Sequence, residues 1–126
     1  MLRMRVLVCG GRDFNDYELL RATLDRILNP NNLSLAYQAG IELIHGGARG
    51  ADTWADYWAV NNYVPIHEYK ANWDKYGKRA GYIRNKQMLD EGKPDLVIAF
   101  PGGKGTQMMV KLAKEAGVET IVVSNS

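Results

Sequence analysis

The chain has 126 residues, of which 46% are hydrophobic and 24% are charged, and its net charge is +2. This balance excludes a largely disordered chain, and a single cysteine excludes an internal disulfide, so we expect one globular domain over residues 1–126 of a cytoplasmic protein. The longest apolar run, Leu96–Phe100, is far shorter than the ~20 residues that span a membrane, which predicts no membrane partner.

Predicted strands and helices alternate along the chain. The predicted strands are Met4–Cys9, Ile41–His45, Pro65–Tyr69, Asp95–Phe100 and Glu119–Val123. The predicted helices between them are Asp16–Leu28, Ala51–Asn62, Ala80–Glu91 and a helix that ends at Ala116. Residues 33–39 are ambiguous and allow another helical turn, and residues 70–79 are predicted to form a polar and aromatic loop. Asn15 or Asp16 is the expected N-cap of the first helix.

The strands also predict the fold class. Their apolar runs are continuous rather than alternating, which is typical of parallel strands that are buried on both faces. Together with the intervening helices they indicate an α/β protein with one Rossmann-like, doubly wound parallel sheet of about five strands, in the order 3-2-1-4-5, with helices on both faces. Ligands bind such sheets beyond the carboxyl ends of the strands, where the strand order reverses.

Three glycine-rich loops follow strands at that edge. Loop 1 contains Gly10, Gly11, Arg12 and Asp13; loop 2 contains Gly46, Gly47, Ala48, Arg49, Gly50, Ala51 and Asp52; loop 3 contains Pro101, Gly102, Gly103, Lys104, Gly105 and Thr106. Glycine lets backbone N–H groups approach a ligand closely, and each loop also carries a cation. Because all three loops are predicted at one edge of the sheet, they indicate a single site for a phosphate-bearing ligand.

Loop 3 is the strongest of the three signals. It leads into a helix whose positive N-terminal end favours a phosphate at the same point as the N–H groups of the loop. Thr106 is expected either to cap this helix or to bind a phosphate oxygen, and Lys104 adds charge. The spacing of glycine, lysine and threonine differs from that of a Walker loop. A tight strand–helix turn with a capping threonine is the structural alternative.

The other two loops hold candidate charged residues. Arg49 is expected to make a forked contact with phosphate or carboxylate. Asp52 lies in the first turn of a helix, so it is a cap, a ribose-hydroxyl acceptor or a general base. Arg12 and Asp13 are expected either to bind the ligand or to pair with each other, and Asp13 is a candidate catalytic acid.

Positive charge is concentrated in residues 70–86, which contain six Lys or Arg residues and one Asp. Aromatic residues stand among these cations, an arrangement that suits a lid over a mononucleotide, with Trp73 or Tyr76 covering the base, and that also suits single-stranded nucleic acid. A solvated basic surface is the remaining alternative. The small net charge of the whole chain favours the lid and disfavours nucleic acid as a partner.

The remaining notable side chains are expected to be structural. Cys9 ends a buried strand, where it fits as a small hydrophobe. His45 and His67 lack the spacing of metal ligands, so we expect no metal site and no cofactor. Four apolar side chains are expected in the core or as surface that a homodimer would cover: Trp54, Trp58, Met108 and Met109.

Four motifs in order resemble the SLOG superfamily, in particular its YspA-type (YpsA-related) branch of small stand-alone domains: GGRDF, IHGGARGAD, AGYIRN and FPGGKGT. The resemblance runs from about Met4 to Val123 and extends more distantly to the Lonely Guy phosphoribohydrolases and the DNA-processing protein DprA. It implies a Rossmann-like sheet with a nucleotide or nucleotide-derived ligand at its carboxyl edge. It also adds Arg84 and Asn85, from the AGYIRN motif, to the expected ligand-binding residues.

The same resemblance separates binding from catalysis. The phosphoribohydrolases follow a similar Pro-Gly-Gly-x-Gly-Thr loop with glutamates that act at the ribose carbon, whereas the residues after loop 3 here are Gln107, Met108 and Met109. N-glycosidic cleavage has an oxocarbenium-like transition state that a carboxylate stabilises, so Asp13 or Asp52 would have to replace the missing group. We therefore expect a nucleotide-binding or sensing module. Nucleotide hydrolysis is the second hypothesis, and single-stranded nucleic-acid binding through residues 70–86 is the third.

Overall fold

Strands and helices alternate along the part of the chain that the structure describes. The computed structural model describes residues 4–28 and 40–124, so the predicted helical turn at 33–39 lies outside the described residues. Its strands are β1 (Met4–Cys9), β2 (Ile41–His45), β3 (Ile66–Glu68), β4 (Leu96–Ala99) and β5 (Glu119–Val122). Its helices are α1 (Tyr17–Leu28), α2 (Ala51–Asn61), the single turn α3 (Trp73–Tyr76), α4 (Ala80–Asp90) and α5 (Lys104–Glu115). None of these described helices has the length and apolar character needed to cross a bilayer.

The described strands form one parallel sheet in the order β3-β2-β1-β4-β5. Val6 of β1 is level with Leu43 of β2 and with Leu96 of β4. The chain therefore builds outwards from β1 through β2 to β3, then returns to add β4 and β5 on the other side. The predicted Rossmann-like α/β fold and its strand order are confirmed, and the order reverses between β1 and β4.

Helices cover both faces of this sheet. On one face, Val6 and Val8 belong to a buried cluster with side chains of α1 and α2, including Leu24 and Trp58. On the opposite face, Leu7 belongs to a second cluster with side chains of α4 and α5. Because successive residues of a strand point to opposite faces, the apolar run Val6–Cys9 of β1 supplies both cores at once.

The polar segment between β3 and α4 is the main point where the predicted elements are wrong. Residues 73–79 form α3 followed by a 3-10 turn, Gly77–Arg79, rather than a loop. The side chain of Asn72 caps α3 by accepting a hydrogen bond from the N–H group of Lys75, at 3.0 Å. The other helix and strand ends for which a residue was predicted coincide with the prediction or differ from it by one residue, as expected for elements that fray.

The start of α1 was predicted with two alternative caps, and the structure selects one of them. The helix begins at Tyr17, and Asp16 Oδ1 accepts a hydrogen bond from the N–H group of Leu19 at 3.1 Å. Asp16 is thus the N-cap, because it satisfies one of the N–H groups that the first turn leaves without a helical partner.

Two of the four side chains that suggested a dimer surface lie in the core. Trp58 and Met109 are 0% and 1% exposed, so neither leaves apolar surface to cover. Trp54 is half-buried and packs with Tyr17 and Tyr57, whose rings lie 5.2 and 6.1 Å from its own. For Trp58 and Met109 the expected place in the core is confirmed, and the expected contribution to a dimer surface is wrong.

The three glycine loops are joined through the backbone of Gly11. Its N–H group donates to the carbonyl oxygen of Pro101 in loop 3 at 2.9 Å, and its own carbonyl oxygen accepts from the N–H group of Ala51 in loop 2 at 3.2 Å. Gly50 precedes Ala51 with a φ of +82°, and a Cβ atom there would overlap the carbonyl oxygen of Gly11. This contact between loops needs glycine at position 50.

Replacing Gly50 with alanine is therefore expected to lower the free energy of unfolding by about 2 kcal/mol or more, because the left-handed backbone and the overlap with Gly11 both cost energy. Urea unfolding of the purified protein measures this change. The matched control is Gly105→Ala in α5, where a Cβ atom meets nothing within 4 Å, and we expect it to gain ~0.5–1 kcal/mol. Equal stability of the two variants would contradict the prediction.

Candidate functional site

A cavity of about 440 Å³ opens where the strand order reverses, beyond the carboxyl ends of β1 and β4. We call it the central cavity. Cys9 and Gly10 contribute to its lining at the end of β1, α4 lines one wall, and loop 3 with the start of α5 lines another. Loops 1 and 3 both reach it directly, whereas loop 2 contributes Ala48 and Asp52.

The N-terminus of α5 lies at this cavity. Gly103 is the N-cap residue, and no side chain among the described residues caps the helix there. The first-turn N–H groups of a helix have no acceptor within it, and they carry the positive end of the helix dipole. Thr106 lies inside the first turn, so its expected role as cap is wrong, while contact with a phosphate oxygen stays a prediction.

The backbone of loop 2 is used differently from that of loop 3. Asp52 Oδ2 accepts hydrogen bonds from the N–H groups of Gly46 at 3.2 Å and Ala48 at 3.1 Å. The N–H group of Gly47 donates to Nδ1 of His45 at 2.9 Å, so the ring carries its proton on Nε2, which donates to Asp56 at 2.8 Å. The N–H groups of Gly46, Gly47 and Ala48, which were predicted to bind an anion, thus all donate to acceptors within the protein.

The two candidate catalytic carboxylates lie in different surroundings. Asp52 is 7% exposed and lines the central cavity, and burial raises its pKa, although its two hydrogen bonds and the nearby His45 and Arg84 oppose that shift. The side chain of Asp13 is 96% exposed, lies outside the lining of the cavity and pairs with Arg49 at 3.3 Å. The expected pairing of Asp13 with Arg12 is therefore wrong, since Arg49 reaches across from loop 2.

In the part of the chain that the structure describes, the side chains that line the central cavity include four cations and one carboxylate, Asp52. The cations are Arg12, Lys78, Arg84 and Lys104. Arg84 is held in place because its Nη1 donates to the carbonyl oxygen of Gly46 at 2.6 Å and its Nε to Asn85 Oδ1 at 3.0 Å. Burial lowers the pKa of this guanidinium, and Asp52 opposes the effect. The cavity is therefore positively charged.

Aromatic side chains stand at the mouth of this cavity. Trp73 lines it, with the guanidinium of Arg12 lying 5.5 Å from the centre of its ring. Tyr76 is absent from the described lining and contacts Lys75 instead, whereas Tyr82 lines the cavity from α4. Sequence reasoning missed Lys78 and Tyr82 as cavity residues. Their helical spacing with Asn85 was the available signal.

The remaining predicted residues either line a second cavity or pack where two loops contact each other. Gly46, Gly47 and Arg49 line an adjoining cavity of about 470 Å³, here called the loop 2 cavity. Gly50 and Gly102 line neither cavity; both pack against loop 1. Among residues 4–28 and 40–124, no cluster of three or more His, Cys, Asp or Glu side chains is arranged to hold a metal ion.

Comparison with known proteins identifies the family. Residues 4–76 match the model of the YspA, cpYpsA-related SLOG family. The chain belongs to this family. It is also 37% identical over 125 residues to the Gene 61 protein of Mycobacterium phage D29, covering 93% of this chain and 94% of that protein. Membership of the SLOG family is consistent with a nucleotide-related function, and the predicted resemblance to this family is confirmed. The match covers the GGRDF and IHGGARGAD motifs, whereas AGYIRN and FPGGKGT lie beyond the matched residues.

The surroundings of Asp52 in this SLOG chain lead to a prediction about pH. A carboxyl whose pKa is higher in the folded state than its ordinary value of 3.8 binds protons more tightly when folded. The stability of the wild type, relative to Asp52→Asn, should therefore fall as the pH rises from 3.8 through the raised pKa, and then level off. Urea unfolding of both proteins between pH 3 and pH 8 measures the difference. A difference that grows with pH would contradict the raised pKa.

Proposed function

We propose that the chain binds a nucleotide, or a small molecule derived from one, in the central cavity and acts as a binding or sensing module. One observation supports this proposal. The N-terminus of α5, which no side chain of the described residues caps, and four cations line the same cavity, at the point where the strand order reverses. A phosphate group suits both features, since the helix dipole and the cations each favour negative charge. Family membership supports the same ligand class.

The rest of the cavity suits a nucleoside. Its volume of about 440 Å³ falls within the usual range for small-molecule sites, ~300–1,000 Å³. Trp73 and Tyr82 offer aromatic surface for a base, and Met88 and Met108 offer apolar surface. The phosphate would lie at Lys104 and the first turn of α5, and Arg12 and Arg84 add positive charge to the same cavity.

The direct test is a panel of nucleoside 5′-mono-, di- and triphosphates, screened by thermal unfolding of the purified protein. A ligand at a hundred times its dissociation constant adds ~2.7 kcal/mol to the free energy of unfolding. We expect phosphorylated compounds to stabilise the protein and the matching unphosphorylated nucleosides to do so less. Stabilisation by no phosphorylated compound would overturn the proposal.

Lys104→Ala is expected to lower the affinity for the best ligand of this panel about tenfold, because it removes a cation from the phosphate position without disturbing the fold. Isothermal titration calorimetry measures the affinity. Lys111→Ala is the matched control, since Lys111 is an exposed lysine of the same helix that does not line the central cavity. Equal losses in the two variants would indicate a general effect of charge rather than contact with the ligand.

Hydrolysis of a nucleotide N-glycosidic bond is a second candidate function, and one observation favours it. Asp52 is a cavity carboxyl whose pKa is raised, a property of groups that transfer protons during catalysis. Water would attack the ribose carbon while the base leaves with a proton. Incubating each hit with the protein and analysing for free base and ribose phosphate tests this function. Turnover that Asp52→Asn abolishes, with binding retained, would support it, and absence of free base would reject it.

A further inference from the structure

The loop 2 cavity adjoins the central cavity, and Arg12 and Trp73 belong to the lining of both. Within residues 4–28 and 40–124, the lining of the loop 2 cavity includes four cations, Arg12, Arg49, Lys70 and Arg84, and no carboxylate. Asp13 and Glu68 pair with Arg49 and Lys70 from outside that lining, so the lining itself keeps an excess of positive charge. The charge of this cavity therefore indicates an anionic ligand.

The two cavities share a wall. Arg12, Ala48, Trp73 and Arg84 line both of them. Arg84 is fixed by the carbonyl oxygen of Gly46 at 2.6 Å, and Arg12 lies against the ring of Trp73. A ligand that extends past this wall would have a guanidinium beside it in either cavity, with an aromatic ring at the boundary.

The cations found only in the loop 2 cavity are held loosely. Arg49 pairs with Asp13 at 3.3 Å, and these side chains are 75% and 96% exposed. Lys70 lies 3.8 Å from Glu68 and is 78% exposed. Exposed ion pairs of this kind contribute ~1 kcal/mol or less, so a phosphate can take both cations from their present partners at little cost.

Building on the proposed function, we propose that the ligand carries two phosphate groups held apart by a nucleoside. One phosphate lies at Lys104 and the first turn of α5, and the other lies in the loop 2 cavity between Arg49 and Lys70. The nucleoside spans the shared wall, where Trp73 covers it. Nucleoside 3′,5′-bisphosphates and 5′-phosphorylated dinucleotides have this chemistry, whereas a nucleoside 5′-diphosphate has its two phosphates adjacent.

The test compares three classes of probe for each of the four common bases, by calorimetry at fixed salt. They are nucleoside 5′-diphosphates, nucleoside 3′,5′-bisphosphates and 5′-phosphorylated dinucleotides. The first two classes carry the same number of phosphates in different places, so their comparison tests phosphate position at equal phosphate number. We expect at least one probe with separated phosphates to bind about tenfold or more tightly than the diphosphate of the same base. Tighter binding of the bisphosphate would show that one nucleoside is recognised, and tighter binding of the dinucleotide would show that two are.

Variants connect this gain to the loop 2 cavity. Arg49→Ala and Lys70→Ala are each expected to remove most of the gain for separated phosphates and to leave the affinity for the diphosphate unchanged within about twofold. Arg79→Ala is the matched control, because Arg79 is an exposed cation of the same basic segment that lines neither cavity. Arg79→Ala should leave all three affinities unchanged.

The outcomes distinguish this inference from the proposed function. Equal affinity for adjacent and separated phosphates, with no effect of Arg49→Ala, would overturn the second phosphate position and leave nucleotide binding in place. Equal losses for all probes in Arg49→Ala and Arg79→Ala would also overturn it, since the effect would then be general attraction. Binding of none of the probes would overturn both proposals.

Discussion

The backbone of Gly11 connects the three strand ends on which the candidate site depends. Its N–H group donates to Pro101 after β4, and its carbonyl oxygen accepts from Ala51 at the start of α2. A Cβ atom on Gly11 would come within 2.9 Å of the Pro101 carbonyl oxygen, so these bonds require a glycine. Because parallel strands end at the same edge, two backbone hydrogen bonds of Gly11 join all three loops there.

Loops 2 and 3 differ in whether their backbone N–H groups have acceptors within the protein. Loop 2 satisfies its own N–H groups through Asp52 and His45, and the carbonyl oxygen of Gly46 in turn positions Arg84. Burying the Asp52 carboxylate is costly, and the two N–H donors together with the nearby Arg84 offset that cost. Loop 3 contains no comparable acceptor among the described residues, so the first turn of α5 is the part of the glycine loops most available to an anion.

The residues after loop 3 show how one helix serves packing and the cavity together. Met109 is fully buried against the sheet, Met108 lines the central cavity, and Gln107 is exposed. The resemblance to the phosphoribohydrolases implies a catalytic carboxylate at the position of Met108 or Met109. Because one of these residues packs in the core and another forms part of the cavity wall, this stretch of α5 provides apolar packing and no acid–base group. This agrees with binding as the leading proposal.

The sequence by itself determined the strand order, the two-sided core and the placement of three glycine loops at one edge, because apolar runs are local and right-handed crossovers leave few topologies. Only the tertiary structure decided which N–H groups have internal acceptors, that Arg49 pairs with Asp13, and that Arg12 lies on Trp73. It also decided that α3 forms and that Arg49 lines a different cavity from Lys104. These features depend on side-chain directions and on contacts between residues distant in the chain, which the local pattern of residue types does not specify.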